Sequence, residues 1–152
     1  MKKYESDYNA LLKAVDGITE GIPYATANLA NTAAVIYNGL KEVSWAGFYL
    51  REGDKLILGP FQGKPACIVI PMGRGVCGTA ALKDETQLVP DVDQFPGHIA
   101  CDSASRSEIV VPIHKNGEVI GVLDLDSTVL ERFDEDDRAG LESIVRKIEE
   151  RL

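Results

Sequence analysis

The chain has 152 residues, 45% of them hydrophobic and 26% charged, the size and composition of one soluble domain with its own core, so a single domain over residues 1–152 is expected. A formal net charge of −8 is the wrong sign for a surface that grips nucleic acid or anionic lipid, and a small-molecule ligand is expected instead. The chain has no apolar stretch of membrane-spanning length, and its start, MKKYESDYNALLKAV, lacks the apolar segment of a secretion signal, so no membrane partner and a cytoplasmic location are expected.

In chain order, Tyr8, Leu11, Leu12, Val15 and Ile18 recur at helical spacing and predict a helix over 6–20, stopped by Gly21 and Pro23. An alanine-rich helix follows over 24–40, with Leu29, Ala33, Ile36 and Leu40 as its buried stripe. Six strands are then expected at 43–50, 54–59, 67–71, 87–92, 107–114 and 118–126, with hairpin turns at Glu52-Gly53-Asp54 and Asn116-Gly117. Between the third and fourth, GRGVCGTAALKDE reads as a glycine-rich turn into a short helix. It is not a dinucleotide-binding fingerprint, because the third glycine and the βαβ context are missing. A last helix runs from 134 to 151, with Phe133 before its cap and Leu141, Ile144, Val145 and Ile148 facing inward. Helices, mostly antiparallel strands and a helix make an α+β sandwich with the sheet in the middle.

Three cysteines, Cys67, Cys77 and Cys101, are too few and too odd in number for a disulfide framework, and in a reducing compartment they are inert, metal ligands or redox-active. A Cys3His zinc site with His98 is disfavoured: there is no C-x2-C pair, and the separations are 10 and 24 residues. Cys101 follows the Pro96-Gly97 break, lies among Asp, Ser and Arg, and precedes IVVPI, which places it on a loop entering a strand. A reactive thiol needs that partial exposure together with a positive neighbour, for which Arg106 is the candidate.

Strand alternation puts Trp45, Gly47 and Tyr49 on one face, and Ser44, Ala46, Phe48 and Leu50 on the other. The aromatic pair is either core or a wall for a small apolar group. Asp124 and Asp126 share a face continuing from Ile120 and Val122. Two such carboxylates raise one pKa or hold a cation between them, unless the strand has simply reached solvent. Glu108 is a third acid. A strict two-residue turn at Asn116-Gly117 sets it opposite Leu125, on the other face from the aspartates, whereas a longer loop or a bulge, with Pro112 as the candidate position, brings all three together. Both registers remain open.

The run GPFQGKPACIVIPMGRGVCGTAALKDETQLVPDVDQFPGHIACDSASRSEIVVPI, with SWAGFYL before it and GVLDLDS after it, closely resembles the free methionine-(R)-sulfoxide reductases, which are built on a single GAF domain. The likeness spans nearly the whole chain, and the three-cysteine pattern within GPFQG-x3-C, GRGVCGTAA and PGHIACD is highly specific, since most GAF domains are sensor modules without these cysteines. It implies a central, mostly antiparallel six-stranded sheet with N- and C-terminal helices packed on it. It further implies Cys101 as the catalytic cysteine, Cys67 as its main resolving partner, Cys77 as a second resolving thiol, and Trp45, Tyr49, Glu108, Asp124 and Asp126 as the substrate pocket.

The reaction implied is reduction of free L-methionine-(R)-S-oxide to methionine through a cysteine sulfenic acid and an intramolecular disulfide. Thioredoxin, supplied by NADPH and thioredoxin reductase, is the implied electron donor, with no bound cofactor and no metal. The chemistry agrees with the residues: a sulfoxide becomes electrophilic once its oxygen is protonated, so the site needs a thiolate and a carboxylic acid of raised pKa. The aromatic pair would hold the methyl-sulfinyl end, and leftover carboxylate charge would pair with the ammonium of the free amino acid. A homodimer is left open. Two readings compete: a GAF module that senses a small molecule without turnover, and a zinc-stabilised interaction domain.

Overall fold

The structure, a computed structural model, describes residues 4–99 and 101–152. Helix α1 (Tyr8–Thr19) starts where the Asp7 side chain accepts from the Ala10 N–H, and it buries Leu11, Val15 and Thr19, one residue per turn along a single line. Thr19, rather than the expected Ile18, completes that line; Ile18 is 43% exposed. The threonine is accommodated because its hydroxyl donates to the Val15 carbonyl and accepts from Arg151 Nε. Helix α2 (Ala25–Gly39) buries Leu29, Ala33 and Ile36 as expected.

The strands are β1 (Trp45–Glu52), β2 (Lys55–Gln62), β3 (Val69–Pro71), β4 (Gln87–Val89), β5 (Ser107–Lys115) and β6 (Glu118–Ser127), with helix α3 (Gly75–Lys83) between β3 and β4 and α4 (Glu135–Glu149) at the end. They form one six-stranded sheet in the order β3-β2-β1-β6-β5-β4, and every neighbouring pair is antiparallel. α4 is opened by a reciprocal capping box between Asp134 and Asp137. The fourth strand stops at Val89, short of the expected 92, because Pro90 brings no N–H to the ladder. Asp91 then caps a short 3-10 turn over Val92–Gln94.

Two cores lie on the two faces of the sheet. Phe48, Ile109, Ile113, Leu123 and Leu125 meet α1, α2 and α4 through residues such as Val15, Ile36, Leu141 and Ile144. On the opposite face, Trp45, Tyr49, Val110 and Val122 pack with Cys77, Ala80 and Ala81 of α3. The alternation expected in VSWAGFYL is thus the division between the two cores.

Register is where structure and sequence reading part. Lys115 pairs with Glu118 and His114 with Val119, but Ile113 pairs with Gly121, so Ile120 is an extra residue bulged out of β6. The bulge is therefore on β6 and not at Pro112. It turns Ile120 toward the helical core and puts Val119 on the face of Val122, the reverse of the expected continuation from Ile120. From there to the strand end Glu108 lies opposite Asp126.

Candidate active site

The floor of the site is the face of β1 away from the long helices. Trp45 stacks on Tyr49, with centroids 5.9 Å apart, and on Phe61 of β2 at 5.2 Å. Gly47 permits this close stack, since a Cβ there would lie 2.8 Å from the Trp45 ring and overlap Phe61. Both rings spend their polar atoms on the segment before β3: Trp45 Nε1–H donates to the Lys64 carbonyl at 3.0 Å, and the Tyr49 hydroxyl to the Cys67 carbonyl at 2.9 Å. The aromatic wall thereby fixes the backbone that carries Cys67.

Cys67 is joined to Cys101 by a disulfide across a Cα separation of 5.5 Å, within the usual span of such bonds. Cys101 is exposed, on the loop between the 3-10 turn and β5, and its N–H donates to the Ile99 carbonyl. Arg106, the sequence candidate for a positive neighbour, is exposed and does not line the cavity; Lys64 and Arg74 do.

Glu108 reaches the same cavity from β5, and Asp124 and Asp126 from β6. Glu108 is 6% and Asp124 5% exposed. Burial, and then the charges of Asp124 and Asp126, hold the Glu108 carboxyl well above its ordinary range. Asp126 is also well raised, by burial and the charge of Asp124, against a hydrogen bond from Glu108. Asp124 is raised by burial, but hydrogen bonds from Glu108 and Cys77 and the nearby His98 oppose the shift. Both aspartate charges thus push Glu108 up, whereas the neighbours of Asp124 oppose its shift, so of these two carboxyls Asp124 gives up its proton more readily. Asp124 is buried and Asp126 half-buried, so the strand has not simply reached solvent at this end.

Cys77 comes from the first turn of α3 and is free and buried; burial and the carboxylates push its thiol up. His98, weighed from sequence only as a zinc ligand, lies with Nε2 3.8 Å from Glu108 Oε1. The Cys3His zinc set is unavailable in this form, because two of its sulfurs are bonded to each other. Trp45, Tyr49, Cys77, Cys101, Glu108, Asp124 and Asp126 all line one cavity, and Cys67 stands beside it through its bond to Cys101. The sequence reading missed Phe61, because the second strand was expected to end at 59, and it missed Lys64 and Arg74, which carried no signal beyond their charge.

The GAF domain family matches residues 24–152. A free methionine-R-sulfoxide reductase of Escherichia coli (strain K12) is 51% identical over 146 residues, covering 96% of this chain and 84% of that protein. Among solved structures, the reduced form of fRMsr of Staphylococcus aureus superposes with a TM-score of 0.95 at 49% identity, over 100% of this chain and 99% of the other. The free methionine-R-sulfoxide reductase of Neisseria meningitidis, solved with its substrate, gives a TM-score of 0.93 at 47% identity, over 97% and 91%.

Proposed function

The chain belongs to the GAF domain family and, within it, to the free methionine-R-sulfoxide reductases, and from that premise we propose that it reduces free L-methionine-(R)-S-oxide to methionine with its own cysteines. The observation that carries this reading is the pairing of Cys67 with Cys101 beside a cavity lined by three carboxyl groups. A sensing module needs neither feature.

Cys101 attacks the sulfoxide sulfur as thiolate, and an acid protonates the oxygen, so the S–O bond breaks with transfer of the hydroxyl to Cys101. Methionine leaves, and Cys101 is left as a sulfenic acid. The Cys67 thiol then condenses with it, releasing water and forming the disulfide. Glu108 is the proton donor, as the carboxyl held between Asp124 and Asp126 in a desolvated site. Trp45 and Tyr49 form the wall against the methyl-sulfinyl end, and ionised carboxylate pairs with the substrate ammonium. Cys77, buried and with a raised pKa, is the slower resolving thiol used when Cys67 is missing.

A dithiol protein, thioredoxin, reopens the disulfide by exchange at exposed Cys101, drawing on NADPH through thioredoxin reductase. That cycle needs a reducing compartment, which is why the cytoplasm is the proposed location. Among the described residues no helix is long and apolar enough to cross a membrane.

Thioredoxin-coupled NADPH oxidation with the two free methionine sulfoxide epimers tests the reading. Consumption with the (R) epimer and none with the (S) epimer is expected. No consumption with either, in protein whose thiols are freely reducible, returns the chain to the sensing class.

A further inference from the structure

The proposed reaction draws on Cys77 only as a reserve thiol, yet its surroundings are specific. Its sulfur, a Glu108 oxygen and an Asp124 oxygen all lie within 4.8 Å of one another, on three buried side chains. The three arrive from α3, β5 and β6, so the folded sheet and helix hold them together rather than one flexible loop. A second observation concerns a single atom: Asp124 Oδ1 is buried and has no hydrogen-bond partner, on a side chain only 5% exposed. A lone pair left in that state favours a cation. His98 stands next to the cluster, with Nε2 3.8 Å from Glu108.

We propose that Cys77, Glu108 and Asp124 form a binding site for a thiophilic divalent cation of the zinc class, entered through the cavity. One thiolate, two carboxylates and a neighbouring imidazole are a donor mixture that suits zinc or cadmium, whereas magnesium and calcium take oxygen alone. The set differs from the one that sequence spacing raised: it uses neither Cys67 nor Cys101. Binding replaces the protons held on the thiol and carboxyls with one doubly charged ion and releases them to solvent. A bound cation would occupy the carboxyls that serve the sulfoxide oxygen. Competition with substrate follows from the proposed reaction; the binding does not depend on it.

The test uses the oxidised protein. With Cys67 and Cys101 bonded to each other, Cys77 is the free thiol, so any thiolate-to-metal absorption reports that residue. Titration with cadmium should give a saturable ultraviolet charge-transfer band and one ion per chain by native mass spectrometry, displaced by zinc. Cys77→Ala should lose the band. Glu108→Gln and Asp124→Asn, which keep side-chain size, should each weaken binding at least about tenfold, the scale on which supporting groups act at metal sites. Absence of a thiolate band in the oxidised wild-type protein overturns the proposal, and so does an affinity unchanged in both carboxamide variants. No turnover is measured, so a failure here is separate from a failure of the reductase reading.

Discussion

Glu108 and Asp126 stand directly opposite each other on β5 and β6, although the Asn116-Gly117 turn sets a register in which Glu108 would face Leu125. The extra residue in β6, Ile120, makes the difference. One bulged residue gathers three carboxyls onto one face, where burial and the charge of their neighbours hold Glu108 and Asp126 well above the ordinary carboxyl range. A carboxyl held that high is suited to giving up a proton to a substrate oxygen.

The cysteine assignment predicts two different failures. Cys101→Ser should abolish reduction, because an alcohol of far higher pKa does not replace the thiolate at sulfur. Cys67→Ser should release about one methionine per site in a rapid-quench experiment and then slow to the rate at which Cys77 resolves the sulfenic acid. Near-normal steady-state turnover by Cys101→Ser would remove that residue from the chemistry.

Loss of the acids should show in turnover before stability. Glu108→Gln, Asp124→Asn and Asp126→Asn should each lower kcat/KM by about 10²- to 10⁴-fold, the range for a positioned proton donor and its supports. Their circular dichroism spectra should match the wild type. If Glu108→Gln turns over normally, the donor is another group.

The same carboxyls have a signature in folding. Glu108 has a folded-state pKa raised above its unfolded value, so the folded protein binds more protons; its contribution is complete below the ordinary carboxyl range and is lost as pH rises toward the raised value. Glu108→Gln removes that loss. Thermal melts should show the variant gaining stability relative to wild type over the pH range above about 5, since the unfolded carboxyl titrates near 4.3. A gap that stays constant across that range would mean that the carboxyl is not raised.

Gly121 sits beside the bulge, and a Cβ there would lie 2.5 Å from the Tyr49 carbonyl oxygen and 3.3 Å from Leu50 Cα. Both are main-chain atoms of the neighbouring strand and do not swing aside. Gly121→Ala should cost about 1–3 kcal/mol, as overpacking in a filled core does, and urea denaturation measures it. A variant as stable as wild type would show that β6 can shift.

Substrate form is the last test. N-acetyl-methionine-(R)-sulfoxide should be at least about 100-fold poorer in kcat/KM than the free compound, because acylation removes the charge that the carboxylates meet and adds bulk. Equal rates would mean that the acids do not read the amine.

The helices and the faces of β1 were legible in the chain because they rest on local periods: Leu29, Ala33 and Ile36 repeat as a helix must, and VSWAGFYL alternates as a strand must. What local pattern cannot carry is a choice made between strands. The bulge at Ile120 costs one unpaired residue on β6 and is decided by the whole sheet, so both registers of Glu108 were open in the sequence. Thr19 took the place expected for Ile18 because Arg151, 132 positions away, reaches it. The partnership of Cys67 and Cys101 came from family likeness alone, since three cysteines by themselves leave every pairing open. Their meeting depends on Tyr49 and Trp45, which fix the segment before β3.

That tether has a kinetic consequence. If the bonds from the Tyr49 hydroxyl and the Trp45 indole to the backbone at 67 and 64 persist once the disulfide opens, the freed Cys67 thiol does not diffuse through the volume of a loose loop. It waits at a high effective molarity, of the kind that makes an intramolecular step outrun a bimolecular one. The competitor is peroxide, which carries an exposed sulfenic acid on to the irreversible sulfinic state. Tyr49→Phe would leave the aromatic wall standing while loosening that hold, and under peroxide the enzyme would then wear out through over-oxidation of Cys101.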